Sequence, residues 1–217
     1  MRLVTATPNA MYCDTDEALT AAGCALLKSH GIRGVWRYLS GLSPAERDVI
    51  LASGLELYFV NYSRMAGWIP SAAEGAADAV RDLARLAVLS IPIGPHVAFD
   101  LEGPGGTAAD VIAHVSAHGK AIQKASYLAS VYVGEGSLLT SKQLFDLPQT
   151  LYWASCSDLR DAGPGVDAGL VPACDYSIRQ GRPFDVVLDD GAGTKVTIDY
   201  DSVIQDLRGR LPVGVAA

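Results

Sequence analysis

The sequence predicts an α/β fold, a single (β/α)8 barrel of the TIM type spanning residues 1–217 as one domain. Three observations predict it. Strand-like apolar runs alternate with helical segments, the signature of parallel βα units. These runs number eight, the count that closes a barrel. Most of them end in a polar or acidic residue, as strands do when their carboxyl ends form a barrel mouth. Composition agrees: 217 residues with 49% hydrophobic and 19% charged side chains suit one sizeable core. A doubly wound open sheet is the alternative. Against it, Asp14-Thr15-Asp16-Glu17 follows the first strand where such folds carry a glycine-rich phosphate loop.

The elements follow in order. Met11 to Asp14 reads as a short first strand. A helix from about Asp16 to His30 places Leu19, Ala22, Leu26 and Leu27 on one stripe and stops at Gly31. Gly34 to Tyr38 is the second strand. Ser43-Pro44-Ala45-Glu46 is a capping-box sequence with proline at the first helical position, opening a helix that ends near Gly54. Leu55 to Tyr62 is an aromatic-rich strand. Ser71-Ala72-Ala73-Glu74 opens a long helix with Val80, Leu83, Ala84, Ala87 and Val88 at helical spacing.

The centre of the chain is His96-Val97-Ala98-Phe99-Asp100-Leu101-Glu102-Gly103-Pro104. Strand alternation points Asp100 and Glu102 to one face and Phe99 and Leu101 to the other. Two acids at one strand end are costly unless hydrogen bonding or chemistry uses them. A helix cap with a solvated turn is the competing reading. Thr107 to Asp110 starts the next helix, with Val111, Ile112 and Val115 inward and Gly119 ending or weakening it. Strands follow at Tyr127 to Val133 and Thr150 to Ser155, with a short helix at Ser137 to Asp146 between them.

The last units are less regular. Residues 158–172 are rich in Gly, Asp and Pro and read as a loop. Asp175 to Gln180 and Val196 to Asp201 complete the eight strands. Residues 184–196 form an added hairpin arm or, alternatively, contribute the eighth strand from Phe184 to Leu188.

The strand ends gather Asp14, Arg37, Tyr38, Asn61, Tyr62, Asp100, Glu102, Tyr132, Trp153, Gln180 and Asp199. Each has a plainer reading: Arg37 pairs a core acid, Tyr132 packs, Trp153 is barrel wall. Together they make a mouth of acids ringed by aromatics, which suits a sugar. Aromatic faces stack on pyranose rings, and glycoside hydrolysis needs a carboxylic acid facing a carboxylate.

Other chemistries find less support. His114 and His118 stand four apart on a helix, but no Glu follows His114 in a HExxH pattern, and a packed or solvated face is expected. No G-x-S-x-G elbow occurs. Cys13 lacks an evident His partner as a nucleophile. The cysteines at 13, 24, 156 and 174 have no zinc spacing. They read as buried thiols, with a Cys156–Cys174 bridge requiring an oxidising compartment. No metal and no cofactor are expected, zinc least of all, with a calcium or magnesium ion held by the acids as the exception. The net charge of −7, with no Lys/Arg-rich run, excludes a nucleic-acid footprint. No apolar run is long enough to insert in a membrane. Met1 to Pro8 does not form a secretory signal. Synthesis in the cytoplasm is therefore expected, with action at the cell wall only after release or a dedicated secretion route.

Five stretches carry a family resemblance: Tyr12-Cys13-Asp14-Thr15, Gly31 to Leu39, Leu42-Ser43-Pro44-Ala45-Glu46, Gly54 to Val60, and Ala98-Phe99-Asp100-Leu101-Glu102. In this order the chain resembles the bacterial and phage glycoside-hydrolase-like domain, a distant relative of the family 25 lysozymes. The resemblance implies a peptidoglycan glycosidase. By it, Glu102 is the proton donor, Asp100 its DxE partner and Asp14 the first-strand acid. Asp199 is the last-strand acid, with Asp185 as the fallback, and Tyr132 and Gln180 line the groove. Two departures stand out: the lysozymes' tryptophan–glutamine pattern is reduced to Arg179-Gln180-Gly181, and Pro104-Gly105-Gly106 closely follows the DxE. A catalytically silent barrel that binds glycans or attaches to the wall is the alternative function.

Overall fold

The structure is a computed structural model that describes residues 1–61, 64–134, 136–155, 175–181 and 183–217. Seven strands run parallel around a barrel: β2 (Met11–Thr15), β3 (Gly34–Tyr38), β4 (Glu56–Val60), β5 (His96–Leu101), β6 (Leu128–Val133), β7 (Leu151–Ala154) and β8 (Ile178–Gln180). The eighth, β10 (Lys195–Val203), closes the ring between β8 and β2 but runs antiparallel to both. The expectation of eight parallel units is corrected here. The reversal follows from the hairpin, since β9 (Val186–Asp189) pairs with β10 and a tight turn returns the chain the other way. Of the two readings of residues 184–196, the added arm is the one realised.

Two further strands lie outside the expected eight. β1 (Arg2–Thr5) pairs with β11 (Val213–Ala216), and β11 joins β4 below the point where β4 meets β5. His96, at the start of β5, accepts the Val213 N–H on Nδ1 at 3.0 Å. Burial lowers its pKa to about 3, so it stays a neutral acceptor.

Helices α1 (Ala21–Ser29), α2 (Pro44–Ala52), α3 (Ala72–Val88), α4 (Ala108–Lys124) and α5 (Ser141–Phe145) pack outside the barrel. α1 starts later than predicted because Thr20, not Asp16, supplies the N-cap, accepting the Gly23 N–H. Ser43 caps α2 through the Glu46 N–H, while the Glu46 carboxylate turns away to Leu19 and Arg37. α4 runs through Gly119. A Cβ there would stand 2.6 Å from Gln149 Nε2, so the glycine admits the chain segment before β7.

The inward face of α3 differs from the predicted stripe. Val80 and Val88 are exposed, and Gly75, Asp78, Ala79, Asp82 and Leu86 are buried. Buried acids need partners. His114 and His118 of α4 supply them, each at 2.8 Å from Nε2 to Oδ2 of Asp78 and Asp82 respectively. The histidine pair is therefore a packed face, one of the two readings its spacing allowed. A Cβ at Gly75 would collide with the His114 carbonyl oxygen, so these helices cross in close contact.

Inside the barrel, side chains stack in layers, as in filled barrels of this class. At the bottom, Tyr12 and Tyr58 donate to Glu56 Oε2 at 2.9 and 2.8 Å, and Arg33 donates to Oε1 at 2.8 Å. Above lies an aromatic layer in which Trp153 contacts Trp36 and Tyr132, at centroid distances of 4.9 and 4.8 Å. The acids occupy the layer above that, at the mouth.

Candidate active site

Asp14, near the end of β2, and Asp100, near the end of β5, point into the barrel with Tyr38 of β3, Tyr132 of β6 and Gln180 of β8. Glu102 is the first residue beyond β5. The reversed β10 brings its N-terminal half to the same end, pairing Asp199 with Asp14 in register. One pocket of about 260 Å³ is lined by Asp14, Tyr38, Glu102, Tyr132, Gln180, Phe184, Asp185 and Asp199. A second pocket of about 200 Å³, lined also by Thr15, Asp16 and Thr197, shares Asp14, Tyr38, Asp185 and Asp199 with it.

Gln180 is the hub of one side. Its Nε2 donates to Asp14 Oδ2 at 3.0 Å and Asp199 Oδ2 at 2.9 Å, while its Oε1 accepts the Tyr132 hydroxyl at 3.1 Å. Asp199 also accepts the Asp185 N–H at 2.6 Å. Asp185 is therefore on the rim of the same groove, and its backbone orients Asp199. Burial is the main reason the Asp199 carboxyl is pushed up from its ordinary pKa.

Asp201, one layer deeper, is not among the residues singled out from the sequence. It is almost fully buried, and Oδ1 accepts the Trp153 indole N–H at 2.9 Å. Its Oδ2 meets no N–H donor among the described residues and faces the Asp14 carboxyl. Two buried carboxyls in contact cannot both ionise, so the pair holds a proton. Burial and then Asp14 push Asp201 far up; burial and then Asp199 raise Asp14 to about 7. The signal for Asp201 is present in the sequence: in Ile198-Asp199-Tyr200-Asp201, period-two alternation puts both acids on one face.

Across the mouth, Asp100 is buried and donates its backbone N–H to Asn61 Oδ1 at 2.8 Å. Burial, then Glu102 and Asp14, raise its carboxyl to about 8. At neutral pH it is predominantly a carboxylic acid, able to donate. Glu102 is exposed at the rim, and its side chain lies over Gly134 at the end of β6. Burial also raises the Tyr38 and Tyr132 hydroxyls, which stay protonated, and the Tyr132 hydroxyl donates to Gln180.

Arg37 and Trp153, two of the described residues expected at the mouth, do not line the pocket. Arg37 is buried between β3 and α2, its Nε donating to Glu46 Oε1 at 2.7 Å and its Nη1 to the Thr15 carbonyl. Strand alternation explains the correction: Trp36 and Tyr38 take the interior face, leaving Arg37 outside. Trp153 faces the barrel interior but does not line the pocket; its indole N–H donates to Asp201 and its ring packs on Trp36. Tyr62 lies outside the described residues, as do Cys156 and Cys174. Cys13 and Cys24 are buried free thiols. Among the described residues, no three His, Cys, Asp or Glu side chains are arranged to hold a metal ion. Nor is any helix among them long and apolar enough to cross a membrane.

The family model of the Rv2525c-like, glycoside hydrolase-like domain matches residues 25–203. The chain belongs to that family. A search of curated proteins found no match to the sequence. Among solved structures, an uncharacterized protein of B. stearothermophilus is 15% identical with a TM-score of 0.67, over 93% of this chain and 99% of that one. The Tat-secreted protein Rv2525c of Mycobacterium tuberculosis, in complex with L-tartrate, is 14% identical with a TM-score of 0.63, over 90% and 96%. A family 25 glycosyl hydrolase from Bacillus anthracis is 12% identical with a TM-score of 0.58, over 89% and 88%. At these identities the likeness is one of fold. The barrel expected from the sequence is thus also the fold of these relatives.

Proposed function

We propose that this protein is a glycosidase acting on the glycan strand of peptidoglycan, with Glu102 as the proton donor. The observation that carries the reading is the shared pocket: Glu102 on one side, Asp14 and Asp199 on the other, and Tyr38, Tyr132 and Phe184 as aromatic walls. A pyranose ring stacks on such walls while the acids and the Gln180 amide bind its hydroxyls. Glu102, exposed at the rim, can reach a glycosidic oxygen, the group a general acid must protonate. Asp100, protonated at neutral pH beneath it, donates toward the substrate's N-acetyl group or orients water. Opposite, Asp199 and the one charge that the Asp14–Asp201 pair carries when it holds a single proton supply negative charge, from which an oxocarbenium-like transition state gains. The fold shared with a family 25 glycosyl hydrolase supports this reading. Action at the wall, after release or secretion, follows from the substrate.

A second reading has its own observation. Asp14 and Asp199 are already bonded to Gln180, and Asp14 also to Asp201. Such an arrangement suits a barrel which holds glycans without cleaving them. Digestion of purified peptidoglycan, with mass spectrometry of the products, separates the two. New reducing ends on soluble muropeptides are expected. Sedimentation of the protein with wall material and no new reducing ends would leave the binding module instead.

A further inference from the structure

Glu102 stands at the start of a loop, Gly103-Pro104-Gly105-Gly106, that follows β5. A strap from residues 66–68 runs beside it. Gly67 N–H donates to the Gly103 carbonyl at 2.7 Å, Gly105 N–H donates to the Trp68 carbonyl at 2.7 Å, and Trp68 pairs with Pro104 as a parallel bridge. The glycines after the acid are what admit the strap. A Cβ at Gly105 would lie 3.0 Å from the Gly67 carbonyl oxygen. Gly103, at φ +53°, would bring one within 3.3 Å of Ala66, in a backbone region that favours glycine. The loop that departs from the lysozyme pattern is therefore shaped to be clamped.

A third bond of the clamp comes from a side chain. The Trp68 indole N–H donates to the Glu102 carbonyl oxygen at 2.9 Å. The indole is itself held. The His114 ring meets it edge-on at 4.9 Å and Phe99 lies at 6.2 Å. The Arg64 guanidinium sits 4.6 Å over its face, a cation–π contact. His114 is fixed in turn: Nδ1 accepts the Ser71 N–H at 3.2 Å, so the proton is on Nε2 and is donated to Asp78. Asp78 also receives Arg64 and Arg81. A continuous set of contacts runs from the α3–α4 layer to the backbone of the acid.

We infer that Trp68 is a positioning residue for Glu102, its indole N–H pinning the Glu102 carbonyl and thereby aiming the carboxyl into the mouth. This rests on the reading of Glu102 as proton donor. The two backbone bonds keep the strap in place without the indole N–H, so losing that N–H moves the acid and not the fold.

The test uses two variants, Trp68→Phe and Trp68→β-(3-benzothienyl)alanine, the second an isostere with sulfur in place of N–H. Steady-state digestion of soluble glycan fragments is measured alongside the 13C-detected titration of Asp100, assigned with Asp100→Asn. Because Glu102 helps raise Asp100, the Asp100 midpoint reports whether Glu102 is still beside it. Both variants are expected to lose about 10-fold or more in kcat at unchanged KM, as misplaced catalytic groups do, and to show a lowered Asp100 midpoint. An isostere with the parent's kcat and midpoint overturns the proposal. If the parent digests nothing, the proton-donor reading falls, and the Asp100 midpoint alone decides the clamp. If Trp68→Phe does not fold, the isostere decides.

Discussion

A Cβ at Gly134 would stand 2.8 Å from Oε1 of Glu102 and 2.9 Å from its Cβ. The end of β6 is thus the surface on which the acid rests. Gly134 does not have a left-handed backbone, so alanine is acceptable to the backbone at that point, and the three atoms nearest its Cβ all belong to Glu102. Gly134→Ala is expected to leave thermal unfolding nearly unchanged and to lower peptidoglycan digestion by about 10²-fold, the scale of an ångström-sized misplacement. A variant as active as the parent would show that the acid's position over β6 is irrelevant.

Arg37 gives a prediction of the opposite kind. It forms a buried pair with Glu46, and Glu46 also accepts the Leu19 N–H at 3.0 Å. Arg37→Ala leaves a buried carboxylate without its cation, a loss of about 3–5 kcal/mol. Chemical denaturation should show that drop, with KM for glycan unchanged in whatever fraction remains folded. A raised KM with full stability would return Arg37 to the mouth.

Arg37 also shows where sequence reading stops. β3 is buried on both faces, so no polar alternation marks which side chains enter the barrel. Asp100 and Glu102 are legible because two acids two residues apart on an apolar strand have few structural uses. The same alternation marks Asp199 and Asp201, yet only the structure draws attention to the second acid. The direction of β10 and the pairing of β1 with β11 depend on contacts between distant segments, and local pattern carries no trace of them. Trp68 lies in a stretch without periodicity. Its value comes from the loop after Glu102, 34 residues away. In α3, buried aspartates defeat the apolar stripe because their histidine partners sit on another helix.

Glu102→Gln preserves shape and removes the transferable proton. Digestion should fall by about 10²–10⁴-fold, the contribution of general acid catalysis, while sedimentation with peptidoglycan persists. Asp100→Asn should also impair turnover. Asp110→Asn, by contrast, touches only the cap of α4, where Thr107 donates through N–H and hydroxyl to Oδ2. It should cost at most about 1 kcal/mol and leave activity alone. Unimpaired digestion by Glu102→Gln would remove Glu102 from the mechanism.

The buried acids make stability depend on pH in a defined window. In the folded protein Asp14 and Asp100 titrate at about 7 and about 8, above the roughly 3.9 of an unfolded aspartate. Between those values the folded state holds more protons than the unfolded one, so stability falls as pH rises and levels off only above the folded pKa. His96 and His114, lowered to about 3 and about 4 by burial, act in the opposite sense. For them the unfolded chain binds more protons up to roughly pH 6.5, so stability rises with pH until that point. The two trends oppose each other under mildly acidic conditions, and above about pH 6.5 only the acids remain. The melting temperature is therefore expected to fall between about pH 6.5 and 8.5, each group costing about 1.4 kcal/mol per pH unit over which it stays protonated only when folded. Asp100→Asn removes one such group and should flatten the decline; Asp201→Asn removes another, since burial and then Asp14 hold its carboxyl far up, and should flatten it further. Calorimetry across this range is the check. A parent that melts at the same temperature throughout, or an Asp100→Asn variant that declines as steeply, would mean that these acids are not held protonated at the mouth.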